Sequence, residues 1–360
     1  MKDESSPPAP LLPSAGPSPG AELQRLLRGY IQTQALYLAV RLGIPDLLAE
    51  GPAAVDALAA RTGSHAPTLR RVLRGLVNLG VLHEPAPGTF ALTPLGQGFL
   101  GEAAATLRAW TLFTGEVLYP ARAGLLRAVQ SGATPFAELF GADFFEYLAA
   151  HPDLGRLFDQ GMRRETEQVA AQVAAACELG PSGTVVDVGG GQGTLMAALL
   201  RDRPGWSGIL FDREPVLAAA RERLAAAGLA NRCRLVGGDF FTSVPEGGDC
   251  YVLSWILHDW DDAQAIRLLA NCRSALGAGE RGSGRSGEPR LLVVEAVLPE
   301  RVAEPTPLVE SDLAMLVLTG GRERSAAEYE ALLWAGGFRL RRILPTGSMR
   351  SVLEAEPRSA

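Results

Sequence analysis

From Pro181 onward the chain alternates short apolar runs, TVVDVGG, SGILFD, CRLVGGD, CYVLSWI and RLLVVEAVL, with stretches of helical period. Runs this short and this uniformly apolar leave no polar face for water, so both sides must be covered by helices. That is the demand of a buried, mostly parallel α/β sheet. A catalytic domain is therefore expected over residues 181–357. Its first strand runs into Asp187 and then Gly189, Gly190, Gly191, Gln192 and Gly193. Missing Cβ atoms permit a tight strand-to-helix turn and close approach of backbone to a bulky ligand. The pattern G-x-G-x-x-G is not completed, because Thr194 or Met196 stands at its last place. Lys2 is the only lysine among 360 residues, which excludes a phosphate-loop nucleotidase.

Residues 1–20, with SSPPAPLLPSAGPSPG, have no helical or strand period and read as a flexible tail. Residues 21–103 open on a helical stripe, Leu23, Leu26, Leu27, Tyr30 and Ile31, continued through Leu36, Val40 and Leu42 and ended by Gly43 and Pro45. Two short helices and a hairpin at VLHEPAPGTFALT follow, which together suggest a winged-helix module. Arg70, Arg71 and Arg74 could face phosphates there, but a net charge of −6 and a pI near 5.4 give no field for nucleic acid, and no nucleic-acid partner is expected. Residues 104–180 read as a helical linker and substrate-pocket region. Trp110, Phe113, Phe136, Phe140, Phe144, Phe145 and Tyr147 there build either core or pocket. ERGSGRSGEPR, at 280–290, reads as a mobile surface loop. The widely spaced Cys177, Cys233, Cys250 and Cys272 read as free structural thiols. No leader or bilayer-length apolar run is visible, so a cytoplasmic protein with no membrane partner is expected.

Two acidic residues follow the glycine turn in order. Asp212 ends SGILFD, where a carboxylate can accept from a ribose diol, and Asp239 in GGDFF can receive an adenine amino group beside the ring of Phe240. SWILHDWDD then sets His258 just past a buried strand, where a neutral imidazole can take a proton from a hydroxyl near physiological pH. His65, His83 and His151 read as local surface or helix-boundary residues.

In this order DVGGGQG, FDREPV, GGDFF, SWILHDWDD, VVEAVLPE and GGRERS, with FFEYLAAHPDLGRLFDQGM upstream, make the chain resemble the two-domain S-adenosylmethionine-dependent O-methyltransferases of plant and bacterial small-molecule type. These include caffeic acid, hydroxyneurosporene and polyketide-antibiotic methyltransferases. The resemblance implies an amino-terminal winged-helix dimerisation domain joined to a Rossmann-like class I methyltransferase domain. It also implies an intertwined homodimer whose amino-terminal elements help close the partner's pocket. S-adenosylmethionine is the implied methyl donor, with Asp187 and Gly189 at its methionyl end, Asp212 at the ribose, Asp239 and Phe240 at the adenine, and Gly191, Arg213, Gly238 and Ser254 also expected at the cofactor. Met162 and Thr166 match positions that approach the cofactor or the reacting end of the pocket. Ser254 stands where many plant members carry lysine, so contacts of that lysine do not transfer.

By the same resemblance His258 is the general base, Glu323 its preferred orienter and Glu295 a support; Asp259, beside the histidine, is expected to position a nearby hydrogen-bond network. No metal is expected, since adjacent acidic residues after His258 need not converge on one ion. The expected acceptor is a hydroxyl of an aromatic or polyketide-derived small molecule, with Trp110, Leu154, Phe158, Met162 and Met315 as pocket residues or, equally, helix core. N-methylation and a regulator that senses S-adenosylmethionine without turnover remain as alternatives.

Overall fold

A computed structural model of the chain describes residues 18–278 and 290–358. Residues 1–17 of the expected tail, and all but Arg290 of the expected 280–290 loop, lie outside the described residues. The chain divides after Gly115 into two compact units.

The first unit opens with α1 (Pro19–Leu27), whose first turn is capped by the Ser18 hydroxyl accepting from the Ala21 amide at 3.3 Å. The expected single stripe from Leu23 to Leu42 is broken at Arg28 into α1 and α2 (Gly29–Arg41). Gly43 adopts a left-handed backbone (φ 66°) and, with Pro45, opens a further turn, α3 (Ile44–Leu47), in place of a stop. Then come β1 (Ala53–Ala54), α4 (Val55–Thr62), α5 (Ala66–Asn78), β2 (Leu82–Ala86), β3 (Thr89–Leu92) and α6 (Ala105–Phe113). The strands form a three-stranded antiparallel sheet in the order β1-β3-β2, the wing beside α4 and α5. Leu69, Leu73 and Leu76 share one face of α5 and are buried with Ile44, Leu58 and Phe90. Arg70 and Arg74 turn to Glu84, at 3.6 and 3.2 Å. By contrast α1 buries none of its side chains, and Leu23, Leu26, Leu27, Tyr30 and Ile31 are all more than half exposed.

The helices expected as one region over 104–180 divide between the units. α6 packs against α2, and a Cβ added at Gly115 would come within 2.3 Å of the Tyr37 ring. The second unit begins with α7 (Tyr119–Arg122), α8 (Leu125–Ser131), α9 (Phe136–Phe140), α10 (Phe144–Ala150) and α11 (Pro152–Ala176). Next come β4 (Gly183–Val188), α12 (Thr194–Arg201), β5 (Trp206–Asp212), α13 (Leu217–Ala226), β6 (Cys233–Gly237), β7 (Cys250–Ser254), α14 (Asp262–Ala278) and β8 (Arg290–Glu295). The chain ends with β9 (Val297–Leu298), α15 (Pro307–Leu318), β10 (Arg324–Ser325), α16 (Ala326–Ala335), β11 (Phe338–Pro345) and β12 (Ser351–Pro357).

Seven strands form one sheet in the order β11-β12-β8-β7-β4-β5-β6, parallel from β8 to β6, with β12 antiparallel to β8 and β11 antiparallel to β12. The chain winds outward from β4 through β5 to β6, then returns to β7 on the other side. The strand order therefore reverses between β4 and β7, and a crevice opens at their carboxyl ends. Alternate residues serve opposite faces: Val185 packs with Met196, Leu210 and Leu292, while Val186 packs with Tyr251, Leu269 and Val293. All five apolar runs expected as strands are strands. The four cysteines are free and buried, and burial pushes their thiols above the ordinary range, Cys177 and Cys272 to about 12. Among the described residues no helix is long and apolar enough to cross a membrane.

Candidate active site

The glycine turn after β4 sits at the crevice. Gly189 (φ 72°), Gly191 (φ 54°) and Gly193 (φ 75°) all take left-handed backbones that other residues rarely adopt. A Cβ on Gly189 would meet Ile256 at 2.5 Å, and one on Gly190 would meet the Asp187 carboxyl at 2.8 Å. The Gly191 amide donates to Asp212 Oδ2 at 2.8 Å and the Arg213 amide to Asp212 Oδ1 at 2.7 Å, so the ends of β4 and β5 are tied through one carboxylate. Asp187 is buried, and neither of its oxygens has a hydrogen-bond partner among the described residues. Burial, and then the charge of Asp212, push its carboxyl up to about 7. Two orphaned buried oxygens beside a Cβ-free cradle suit a ligand that brings its own donors.

The remaining residues expected at a cofactor come from neighbouring elements. The Gly238 amide donates to the Asp212 carbonyl at 3.1 Å. Asp239 is exposed, and its carboxylate already accepts from the Phe241 amide at 2.9 Å and the Thr242 hydroxyl at 3.2 Å, a local turn cap. Phe240 packs edge-on to Trp260, with centroids 5.9 Å apart, and Ser254 closes β7. Met162 and Thr166 are one turn apart on α11, the Thr166 hydroxyl donating to the Met162 carbonyl. α11 reaches the glycine turn through Gln192 Nε2, which donates to Asp159 at 3.2 Å, a pair without a motif in the sequence.

The second cluster forms where the chain leaves β7. Trp255 takes a left-handed backbone (φ 59°), rare for a bulky residue, and the chain turns sharply into a short 3₁₀ segment, Leu257–Asp259. Glu295, fully buried at the end of β8, accepts the Ile256 and Leu257 amides on Oε1 at 2.9 and 2.8 Å. Arg324, also fully buried, donates to the carbonyls of Leu257 and Trp260 and to Asp262. His258 is thus gripped by backbone contacts on both sides.

His258 Nδ1 lies 3.2 Å from Glu323 Oε1 and 3.5 Å from Glu295 Oε2. Asp259 Oδ1 is 3.8 Å from Nε2, beyond hydrogen-bond reach. Glu323 Oε1 also accepts from the Ser311 hydroxyl at 2.7 Å and Arg350 Nη1 at 3.1 Å. Burial opposes a charged imidazole, but Glu295, Asp259 and Glu323 outweigh it and raise His258 to about 9. Burial works on Glu323 too, yet the His258 hydrogen bond and the charges of His258 and Arg350 hold it down at about 2, while burial pushes Glu295 up. His258, Glu295 and Glu323 each offer one ligand atom within 4.8 Å of the others, and this is the only such group among the described residues. The positive charge of Arg350 already sits on that pair of glutamates. Sequence reasoning missed Arg350, Arg324 and Ser311, since one arginine among thirty-three carries no motif.

Leu154, Phe158 and Met162 recur every fourth residue on one face of α11. Phe158 is joined to Trp260 by a run of rings through Phe144 and Phe145, with centroids 5.5, 5.1 and 6.3 Å apart. Met315 lies one turn beyond Ser311 on α15, on the side that reaches Glu323. Trp110 belongs to the first unit, where it stacks on Phe113. Of the other three histidines, His65 bonds the Thr68 hydroxyl, His151 bonds the Tyr147 carbonyl and His83 is exposed on β2.

Residues 24–102 match the O-methyltransferase dimerisation domain and residues 123–339 the O-methyltransferase domain. The chain belongs to the two-domain S-adenosylmethionine-dependent O-methyltransferases, with a helical dimerisation domain ahead of a Rossmann-like catalytic one. It is 45% identical over 335 residues to phenazine O-methyltransferase PhzM of Lysobacter antibioticus, covering 93% of this chain and 95% of that protein. The crystal structure of the O-methyltransferase NcsB1 from neocarzinostatin biosynthesis, with S-adenosylmethionine and 2-hydroxy-5-methyl naphthoic acid, superposes with a TM-score of 0.77 at 33% identity, covering 91% and 96% of the two chains. Phenazine-1-carboxylate N-methyltransferase of Pseudomonas aeruginosa is 34% identical over 89% of this chain and 92% of its own length. The chain is therefore a methyltransferase with S-adenosylmethionine as donor.

Proposed function

We propose that the enzyme methylates a hydroxyl of an aromatic or polyketide-derived small molecule, with His258 as general base. The observation that carries this reading is the buried imidazole whose Nδ1 is anchored on Glu323 at 3.2 Å. Its Nε2 makes no hydrogen bond among the described residues, which leaves it available to an acceptor hydroxyl. A phenol ordinarily holds its proton to a pH of about 10, so attack on a methyl group calls for a base. Glu323 fixes the tautomer and favours the imidazolium formed on proton transfer, and Glu295 supports it while also holding the backbone on which His258 rides.

S-adenosylmethionine supplies an electrophilic methyl on a positively charged sulfonium. Its charge disfavours a second cation on His258, which draws the residue toward the neutral form that accepts a proton. Asp187 is suited to the donor's ammonium group, since its two orphaned oxygens need donors. Gly189 and Gly191 give the backbone close access, and Asp212 with Arg213 the ribose. Gly238, Asp239 and Phe240 would flank the adenine, Asp239 with the oxygen capacity left by its turn. Leu154, Phe158, Met162 and Met315 give the acceptor an apolar, partly flexible wall. No residue's role in this scheme requires a metal.

The first unit supports an intertwined homodimer. α1 displays Leu23, Leu26 and Leu27, and nothing among the described residues buries them. The acceptor assignment is tested by mass spectrometry of products from a panel of hydroxylated naphthoates and phenazines beside their amine analogues. Oxygen methylation that collapses in His258→Ala is expected. Methyl incorporation at nitrogen alone would overturn it in favour of the chemistry named for the Pseudomonas relative.

A further inference from the structure

Arg350 stands just ahead of β12, in the turn that follows β11, yet it is only 5% exposed. Its Nη1 donates to Glu323 Oε1 at 3.1 Å and lies 4.0 Å from Glu295 Oε2. Its guanidinium carbon is 4.4 Å from the ring centre of Trp255, the residue whose left-handed backbone starts the turn to His258. One buried cation therefore addresses both glutamates that face His258 Nδ1, and shares with that nitrogen a single oxygen of Glu323. A solvent-facing arginine in an edge turn would gain nothing from such burial; here it is matched to two buried carboxylates.

We propose that Arg350 is a positioning residue for methyl transfer: it balances the Glu323 and Glu295 carboxylates and so sets how firmly His258 holds its proton. The proposal rests on the reading of His258 as the base. The charged and titratable groups around the imidazole come from six places. Glu295 ends β8, Glu323 precedes β10, and Asp259 is the next residue in the chain. Asp312 of α15 accepts from the Glu323 amide at 2.9 Å. The guanidinium of Arg324 is committed to the Leu257 and Trp260 carbonyls and Asp262, and the Tyr329 hydroxyl of α16 stays neutral because burial and the two glutamates hold its proton. Among the described residues Arg350 is thus the one fixed positive charge hydrogen-bonded to the histidine's own partner. Without it His258 is left to compensate the carboxylates alone and keeps its proton to higher pH. A unit charge one shared oxygen away corresponds to a rise of about one to two pH units. On the acid limb each unit is about a ten-fold loss of neutral base.

The chain has four histidines, so the ring signals of histidine-labelled full-length enzyme are few, and His258→Ala assigns the one that matters. Titrating that signal by NMR in wild type, Arg350→Gln and Arg350→Lys reads the effect without an acceptor. The midpoint is expected to rise by about one unit or more in R350Q and to stay within about half a unit of wild type in R350K, which keeps the charge. Equal midpoints in wild type and R350Q would overturn the proposal, as would an R350K midpoint that moves as far as R350Q, because a packing role on Trp255 would not distinguish the charge. Should R350Q fail to fold, Glu323→Gln is compared with the E323Q/R350Q double variant. There the arginine still faces Glu295, and its loss must again raise the midpoint. Turnover of H258A on 1,4-dihydroxy-2-naphthoic acid keeps the two readings apart. An unmoved midpoint with collapsed H258A turnover overturns the arginine's role alone. A moved midpoint with undiminished H258A turnover overturns the base reading beneath it.

Discussion

Gly321→Ala isolates how closely the two halves of the His258 site are held together. A Cβ at Gly321 would sit 2.0 Å from the carbonyl oxygen of His258, 2.5 Å from the carbonyl carbon of Asp259 and 2.7 Å from the Trp260 nitrogen. All three are backbone atoms, so no side chain can swing aside. Ordinary non-bonded contact is about 3.5 Å, so the Gly321 and His258 segments must part by roughly 1 Å or more. Glu323 is two residues along one segment and His258 is on the other, and their 3.2 Å contact is already at the long end of a hydrogen bond. Overpacking of this kind costs about 1–3 kcal/mol, which lowers the melting temperature by about 2–4 °C per kcal/mol in a unit of this size. Misplacement of a reacting group by about 1 Å costs turnover on the order of a hundred-fold. The assay is thermal melting beside kcat and the Kd for S-adenosylmethionine, which should hold near wild type because the glycine turn after β4 is untouched. Wild-type kcat in a variant whose melting temperature has fallen would refute the link between segment spacing and proton transfer. Wild-type melting would refute the clash itself.

Three further outcomes are expected. The log of kcat/KM should climb with pH along an acid limb governed by His258: its folded pKa is raised to about 9, so the active neutral form is scarce at low pH and gained as pH rises, and the limb should vanish in H258A. Calorimetry at pH 6 and pH 8 should show S-adenosylmethionine binding about ten-fold tighter at the higher pH, because Asp187, raised to about 7, must ionise to meet an ammonium; Asp187→Asn should abolish that dependence. Leu26→Asp should convert a dimer to monomer in sedimentation without unfolding either unit, since α1 buries no side chain among the described residues, and an unchanged sedimentation coefficient would count against a dimer through α1.

What could be read in the residues, and what could not, follows a physical division. Buried parallel strands are written as unbroken apolar runs, and β4 to β8 were legible for that reason, as was the glycine turn whose backbone only glycine adopts easily. FRLRRILP and SVLEAEP were not, because these two strands at the antiparallel end of the sheet mix apolar with charged positions and resemble surface coil; their pairing appears only in register, with Arg339 opposite Glu356 and Arg342 opposite Glu354. The break at Arg28 was invisible because helical period continues across it. His258, Glu295 and Glu323 emerged from ordered motifs, and the fold brings them within a few ångströms. Arg350 and Ser311 reach the same cluster from separate elements, and no spacing in the chain announces such convergence.

β11 is one end of the seven-stranded sheet, so among the described residues its outer backbone groups have no neighbouring strand. Arg339, Arg341 and Arg342 line it, each bonded on the inner side to Glu356 or Glu354 and each still substantially exposed. A second molecule offering the same edge would bring its own arginines against these. Like charge would then meet like charge before any hydrogen bond could form, which makes this row a guard against sheets joining end to end into fibres.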